Sequence, residues 1–361
     1  MDAIQFIDLT VASGFTLLLI GFVGGLVSGF IGSGGAFVLT PAMMTLGAPG
    51  IVAVASNMAH KFPKALVASI KRAKLGQVDL KLGLIMGAFA EGGVFVGKEV
   101  MTHIRSLYGD IGTDFYVSII FVITLAIIGG MILVDVRRSN DDSNTGEETT
   151  SKQKLAKRIQ SMHIPGTMVY LRSIDAKVSV LVIAPLGFAT GLLAAFIAVG
   201  GFIGVPAMMF VLGVPAIMAT ATELVVAFVM GLGGSMLYAW EGYVDIRLSM
   251  LILAGSLFGV QVGVIATTYV KDSFVKKVMA SIMLIVLVSR LLVIPDYLSS
   301  LNLINPLTGN WSAVLHQLSD ITLALALLVG AISIILASVL GAAGVLRKQK
   351  LEKELTNNKL I

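Results

Sequence analysis

The chain has 361 residues, of which 56% are hydrophobic and only 13% charged, with a mean hydropathy of +0.92 and a formal net charge of +5. A soluble protein is nearer a quarter charged, so too few polar groups are present to clothe a water-facing surface, and an integral membrane protein is expected. Cysteine is absent, which excludes disulfides, thiol redox chemistry and cysteine-ligated metal sites.

In chain order, Asp2 and Asp8 precede the first apolar run with no Lys or Arg beside them, unlike a cleaved signal peptide. Apolar segments are predicted at 11–31, a short piece at 36–47, then 51–70, 80–102 and 115–135. After a polar stretch come 178–198, a short piece at 202–213, then 216–239, 248–270, 277–294 and 320–346. Crossing a hydrocarbon core of roughly 30 Å takes about 20 helical residues, which the long runs approach or exceed. The runs are apolar all round rather than alternating, so a β-barrel is not expected. The reading is an all-α polytopic transmembrane bundle: a first repeat over 1–136, a polar cytoplasmic linker over 137–177, a second repeat over 178–294, and a connector, final helix and basic tail over 295–361.

The halves are copies at an offset of 166. Gly21-Phe22 meets Gly187-Phe188, Gly25-Leu26 meets Gly191-Leu192, Phe30-Ile31 meets Phe196-Ile197, and Gly34-Gly35 meets Gly200-Gly201. Downstream, Pro41-Ala-Met-Met matches Pro206-Ala-Met-Met, and the pairs Gly76-x-Val78-Asp79 and Gly242-x-Val244-Asp245 stay in step. Chance apolar similarity does not keep Gly, Pro and Asp aligned over such a distance, and internal duplication is a mark of transporter folds. If the first span and its short partner form a re-entrant hairpin in each half, the repeats are inverted. Twenty of the 26 basic residues then fall on the inner side, as the positive-inside rule requires. The basic residues thus orient helices, and nucleic acid is not expected as a partner.

The broken glycine-rich first helix, Gly21-x3-Gly25-x3-Gly29-x2-Gly32-x-Gly34-Gly35 with Pro41, repeated as Gly187-x3-Gly191 to Gly200-Gly201 with Pro206, resembles the TauE/SafE (TSUP, DUF81) family from about residue 15 to 345. The resemblance implies a multi-pass permease of the bacterial or archaeal inner, cytoplasmic, membrane that moves small anions such as sulfite or organosulfonates, usually outward. An anion channel, or an uptake permease for another oxyanion or carboxylate, is the alternative. No cofactor is implied. The partners implied are the small anion and the bilayer, with a homo-oligomer left open. The second copy departs from the pattern at Val199, where Ser33 supplies a polar residue in the first.

Unwound backbone at membrane depth is tolerated where it lines a cavity or is buried in protein. Freed N–H groups and the positive end of a following half-helix attract an anion. Substrate contacts are therefore expected from Ser33, Gly34, Gly35, Gly200 and Gly201, with Thr40, Thr220 and Thr222 offering hydroxyls. Gly21, Gly25, Gly187 and Gly191 are read as close-packing residues. Asn57, Lys61 and Lys64 share a face of the 51–70 helix at i, i+4 and i+7. A charge at bilayer depth costs at least about 2.5 kcal/mol unless it is paired or faces water, so Lys61 either binds the anion or pairs with Glu91 in the next span. Asn57 is assigned to the same substrate site. Proton coupling is assigned to Glu223, which occupies the repeat position of Asn57, with His60 and Glu91 as further carriers. Asp79 and Asp245 are read as helix N-caps. No His-Glu-x-x-His, paired aspartates or Ser/His pairing supports an intramembrane enzyme, and the scattered histidines form no metal cluster.

Overall fold

The structure, a computed structural model, describes residues 6–31, 36–138, 158–160, 164–267, 269–270 and 272–358. Helix α1 (Val11–Ile31) and the half-helix α2 (Ala36–Thr45) are followed by α3 (Gly50–Lys74) and α4 (Leu80–Arg138). The second half comprises α5 (Val180–Ile197), the short α6 (Gly201–Pro206) running into a π-helical turn (Ala207–Leu212), α7 (Ala216–Trp240), α8 (Ile246–Thr267) and α9 (Asp272–Ser300). Helix α10 (Trp311–Asn358) closes the chain. Seven of these helices are long and apolar enough to cross a membrane, and α3, which carries Lys61 and Lys64, falls outside that set.

Local chemistry sets the boundaries. Pro49 and Pro215 hold extended backbone (φ −53°, ψ 144° and φ −57°, ψ 142°) immediately before α3 and α7, where a missing N–H costs nothing. The 80–102 and 115–135 segments are the two arms of α4, joined at Gly109, whose φ of 65° and ψ of −159° break the helix. Asp79 Oδ1 accepts the Leu82 N–H at 3.1 Å and Asp245 Oδ1 that of Arg247 at 2.9 Å, the expected capping role.

One departure from an all-helical reading lies in the linker, where Met168–Leu171 pairs antiparallel with Ala176–Ser179. This hairpin is anchored rather than solvated throughout: Leu171 and Val178 are fully buried, and the Ser173 N–H and hydroxyl both donate to Asp79 Oδ2 at 2.9 Å. Asp79 therefore caps α4 with one oxygen and holds the hairpin with the other.

Helix α1 packs along α8, and α5 along the first arm of α4. The glycines decide how closely. Cβ atoms at Gly21, Gly25 and Gly29 would strike the backbone of Ile252, Ser256 and Val260; at Gly187 and Gly191 they would strike that of Met86 and Ala90. In return, Gly259 and Gly263 accommodate Phe22 and Leu26, and Gly93 accommodates Phe188. The contacts of Gly21, Gly25, Gly259 and Gly263 have counterparts at Gly187, Gly191, Gly93 and Gly97, displaced by 166 in both partners with the halves exchanged. Hydrogen bonds follow the same rule: the Asp79 N–H donates to Thr222 Oγ1 and the Asp245 N–H to Ser56 Oγ, each at 3.0 Å. The equivalent helices α3 and α7 run antiparallel, since Met58 and Phe62 abut Gly234 and Gly231 respectively.

Candidate substrate site at the broken helices

Helix α5 stops because Ala198 turns left-handed (φ 60°), a conformation that a residue with a Cβ adopts at a cost of roughly 1–2 kcal/mol. The break is held from the other half of the chain. The Thr40 hydroxyl on α2 donates to the Ile197 carbonyl at 3.4 Å, Asn57 Nδ2 on α3 donates to Thr40 Oγ1 at 2.7 Å, and Lys61 Nζ reaches the Ala198 carbonyl at 3.5 Å. Phe37 at the start of α2 packs against Phe202 at the start of α6, the rings tilted by 38° with centroids 5.4 Å apart. The two half-helices thus begin side by side. Gly200 and Gly201 sit here, buried, with Gly200 tight against the Met230 side chain and Thr190.

Glu223 enters from α7. It is 4% exposed, neither carboxyl oxygen has a hydrogen-bond partner among the described residues, and one lies where a Cβ on Gly204 of α6 would be. Its charge partner through space is Lys61, itself 8% exposed. His60 Nδ1 meets the Asn57 carbonyl at 2.8 Å while its buried Nε2 has no partner among the described residues, and Lys64 Nζ donates to Ser28 Oγ at 3.2 Å. Two lysines, one carboxyl and one histidine are consequently gathered beside an interrupted helix. Low-dielectric surroundings strengthen their pull on any small charged species admitted there.

Of the residues expected at the site, Asn57, His60, Lys61, Glu223, Gly200, Gly201 and Thr40 are brought together. Ser33, Gly34 and Gly35 lie outside the described residues. Thr222 departs from expectation: its hydroxyl accepts the Asp79 amide at the start of α4, so it serves a helix junction. Glu91 does too: its carboxyl group packs against Gly233 of α7, and the carboxylate interacting with Lys61 is Glu223 instead. Ser28 and Gly204 were not anticipated. Gly204 carries no chemistry of its own, so only the fold reveals that it makes room for a carboxylate. Among the described residues, no group of three His, Asp or Glu could hold a metal ion.

The profile of the family described as sulfite exporter TauE/SafE matches residues 17–290. The chain is 25% identical over 253 residues, covering 68% of it and 87% of the relative, to the probable membrane transporter protein YdhB of Bacillus subtilis. It is 22% identical over 279 residues, covering 75% of it and 94% of the relative, to the probable membrane transporter protein YunE of the same organism. No solved structure matches.

Proposed function

Because the chain belongs to the TauE/SafE family of membrane transporters, we propose that it is a secondary exporter of small anions, sulfite or an organosulfonate, across the cytoplasmic membrane. The observation that carries this reading is the Lys61 ammonium at the carbonyl of the α5–α6 break, with the start of α2 alongside. In this reading the anion takes the Lys61 charge and the N–H groups at the half-helix starts. The reciprocal contacts and the antiparallel α3 and α7 favour two repeats of inverted topology, which move against each other in alternating access. An inside-negative potential, worth about 2.3 kcal/mol per charge per 100 mV, drives outward any load that leaves with a net negative charge once its coupled proton is counted.

Glu223 supplies the coupling. With no anion bound, its carboxylate balances Lys61; an anion that takes over Lys61 leaves Glu223 a buried charge without a partner, so a proton joins it. Sulfite flux into proteoliposomes tests this. Wild-type flux is expected to respond to an imposed pH gradient and Glu223→Gln flux not to; an unchanged pH response in the variant removes Glu223 from the role.

A further inference from the structure

A second polar site lies away from the broken helices, and nothing in the transport reading uses it. A cavity of about 290 Å³ opens between the α2–α3 connection, the second arm of α4, the C-terminal half of α9 and the start of α10. Asp114, Arg290, Tyr297, His316 and Asp320 all line it.

Arg290 is the anomaly. It is 1% exposed, yet among the described residues its guanidinium is bound only by two serine hydroxyls, Ser289 and Ser319, each at 3.2 Å, and its buried Nε has no hydrogen-bond partner. No carboxylate lies within 4.0 Å of it among the described residues. Tyr297, Asp320 and Asp114, which line the same cavity, act on it only through space. A guanidinium normally closes on a carboxylate in fork geometry when buried. Here the acids and the base are held apart by the scaffold: Asp114 Oδ1 is taken by the Gly50 N–H at 2.5 Å, and His316 is engaged by Asp296 at 2.9 Å.

Opposite charges that share one small cavity without closing on each other select a ligand carrying both charges. A simple anion would meet two carboxylates, and a simple cation would meet the arginine. A metal ion is disfavoured because no ligand set of three is present among the described residues. We propose that this cavity binds a small zwitterion of amino-acid size, its acid group on Arg290 and its ammonium group between Asp114 and Asp320. The site opens at the end of the bundle where α9 ends and α10 begins, away from the linker hairpin at Asp79. Its wall includes Met44 and Thr45 at the end of α2, so a bound ligand also braces the half-helix whose other end touches the α5–α6 break.

The test is equilibrium binding to the full chain in nanodiscs, using the twenty common amino acids, acetate and ethylammonium as probes. At least one neutral amino acid is expected to bind saturably, with acetate and ethylammonium at least tenfold weaker. Arg290→Gln should weaken that binding at least tenfold. Asp320→Asn, at an exposed position less critical to folding, should do the same, whereas Lys61→Gln should leave it unchanged. Absence of binding by every amino acid to folded protein overturns the proposal. So does acetate or ethylammonium binding as tightly as the best amino acid, or undiminished binding by Asp320→Asn. Sulfite flux measured on Asp320→Asn, expected at the wild-type level, keeps this outcome separate from the transport reading, which is tested at Lys61 and Glu223.

Discussion

Glu223 and Gly204 depend on each other. The carboxyl group occupies the volume a side chain on Gly204 would need, so Gly204→Ala either displaces the carboxylate from α6 or separates α6 from α7. Overpacking of this kind costs roughly 1–3 kcal/mol. The expected outcome is folded, membrane-inserted protein whose sulfite flux falls at least tenfold, read by proteoliposome assay beside a size-exclusion profile. At this scale the sequence went part of the way. The repeat alignment sets Glu223 opposite Asn57 and so points to a carboxyl group in the second half. It could not say that Lys61 faces Glu223 rather than Glu91, because the partner is fixed by how α3 crosses α7 and not by spacing along either helix. Arg290 and its two distant aspartates come from three separate helices, so no linear pattern joins them.

Among the helices, glycine spacing is the strongest signal, and the structure shows why. In lipid, helices gain little from burying apolar surface against one another, and association rests on close van der Waals fit. Gly25 lies against the backbone of Ser256 and Gly191 against that of Ala90, so a methyl group at either must push two helices apart. Gly130, by contrast, has open space where a Cβ would go. Thermal unfolding in detergent should therefore fall clearly for Gly25→Ala and Gly191→Ala. Gly130→Ala should hold or rise slightly, since Ala in a helix is favoured by about 0.5–1 kcal/mol over Gly. Equal stability in all three would mean that the α1–α8 and α5–α4 contacts are looser than described. The hairpin at Met168–Leu171 escaped the sequence reading because four-residue strands within a charged linker leave no periodicity to detect, and its anchor, Asp79, already had a sufficient explanation as a cap.

For the molecule as a whole, the exchange of contacts at an offset of 166 ties the halves into one unit, and it was legible as duplication long before it was visible as packing. Both tryptophans, Trp240 at the end of α7 and Trp311 at the start of α10, are exposed at the end away from the hairpin, where an aromatic belt meets headgroups. The absence of native cysteine makes orientation easy to measure. Introduced singly, Arg172→Cys in the hairpin turn should react with an impermeant maleimide only after cells are permeabilised. Leu303→Cys, in the exposed connection between α9 and α10, should react in intact cells. The reverse pattern would turn the bundle over, and with it the inner placement of the linker.

The claim on which the rest depends is that a small anion is held by Lys61 where the two half-helices begin. Sulfite uptake into proteoliposomes, measured against concentration for wild type, Lys61→Gln and Lys61→Arg, addresses it directly. Saturable flux that accelerates with sulfite on the opposite side, falls at least tenfold in Lys61→Gln and partly returns in Lys61→Arg is the expected result. Flux that rises linearly with concentration, or that is the same in Lys61→Gln as in wild type, would contradict it.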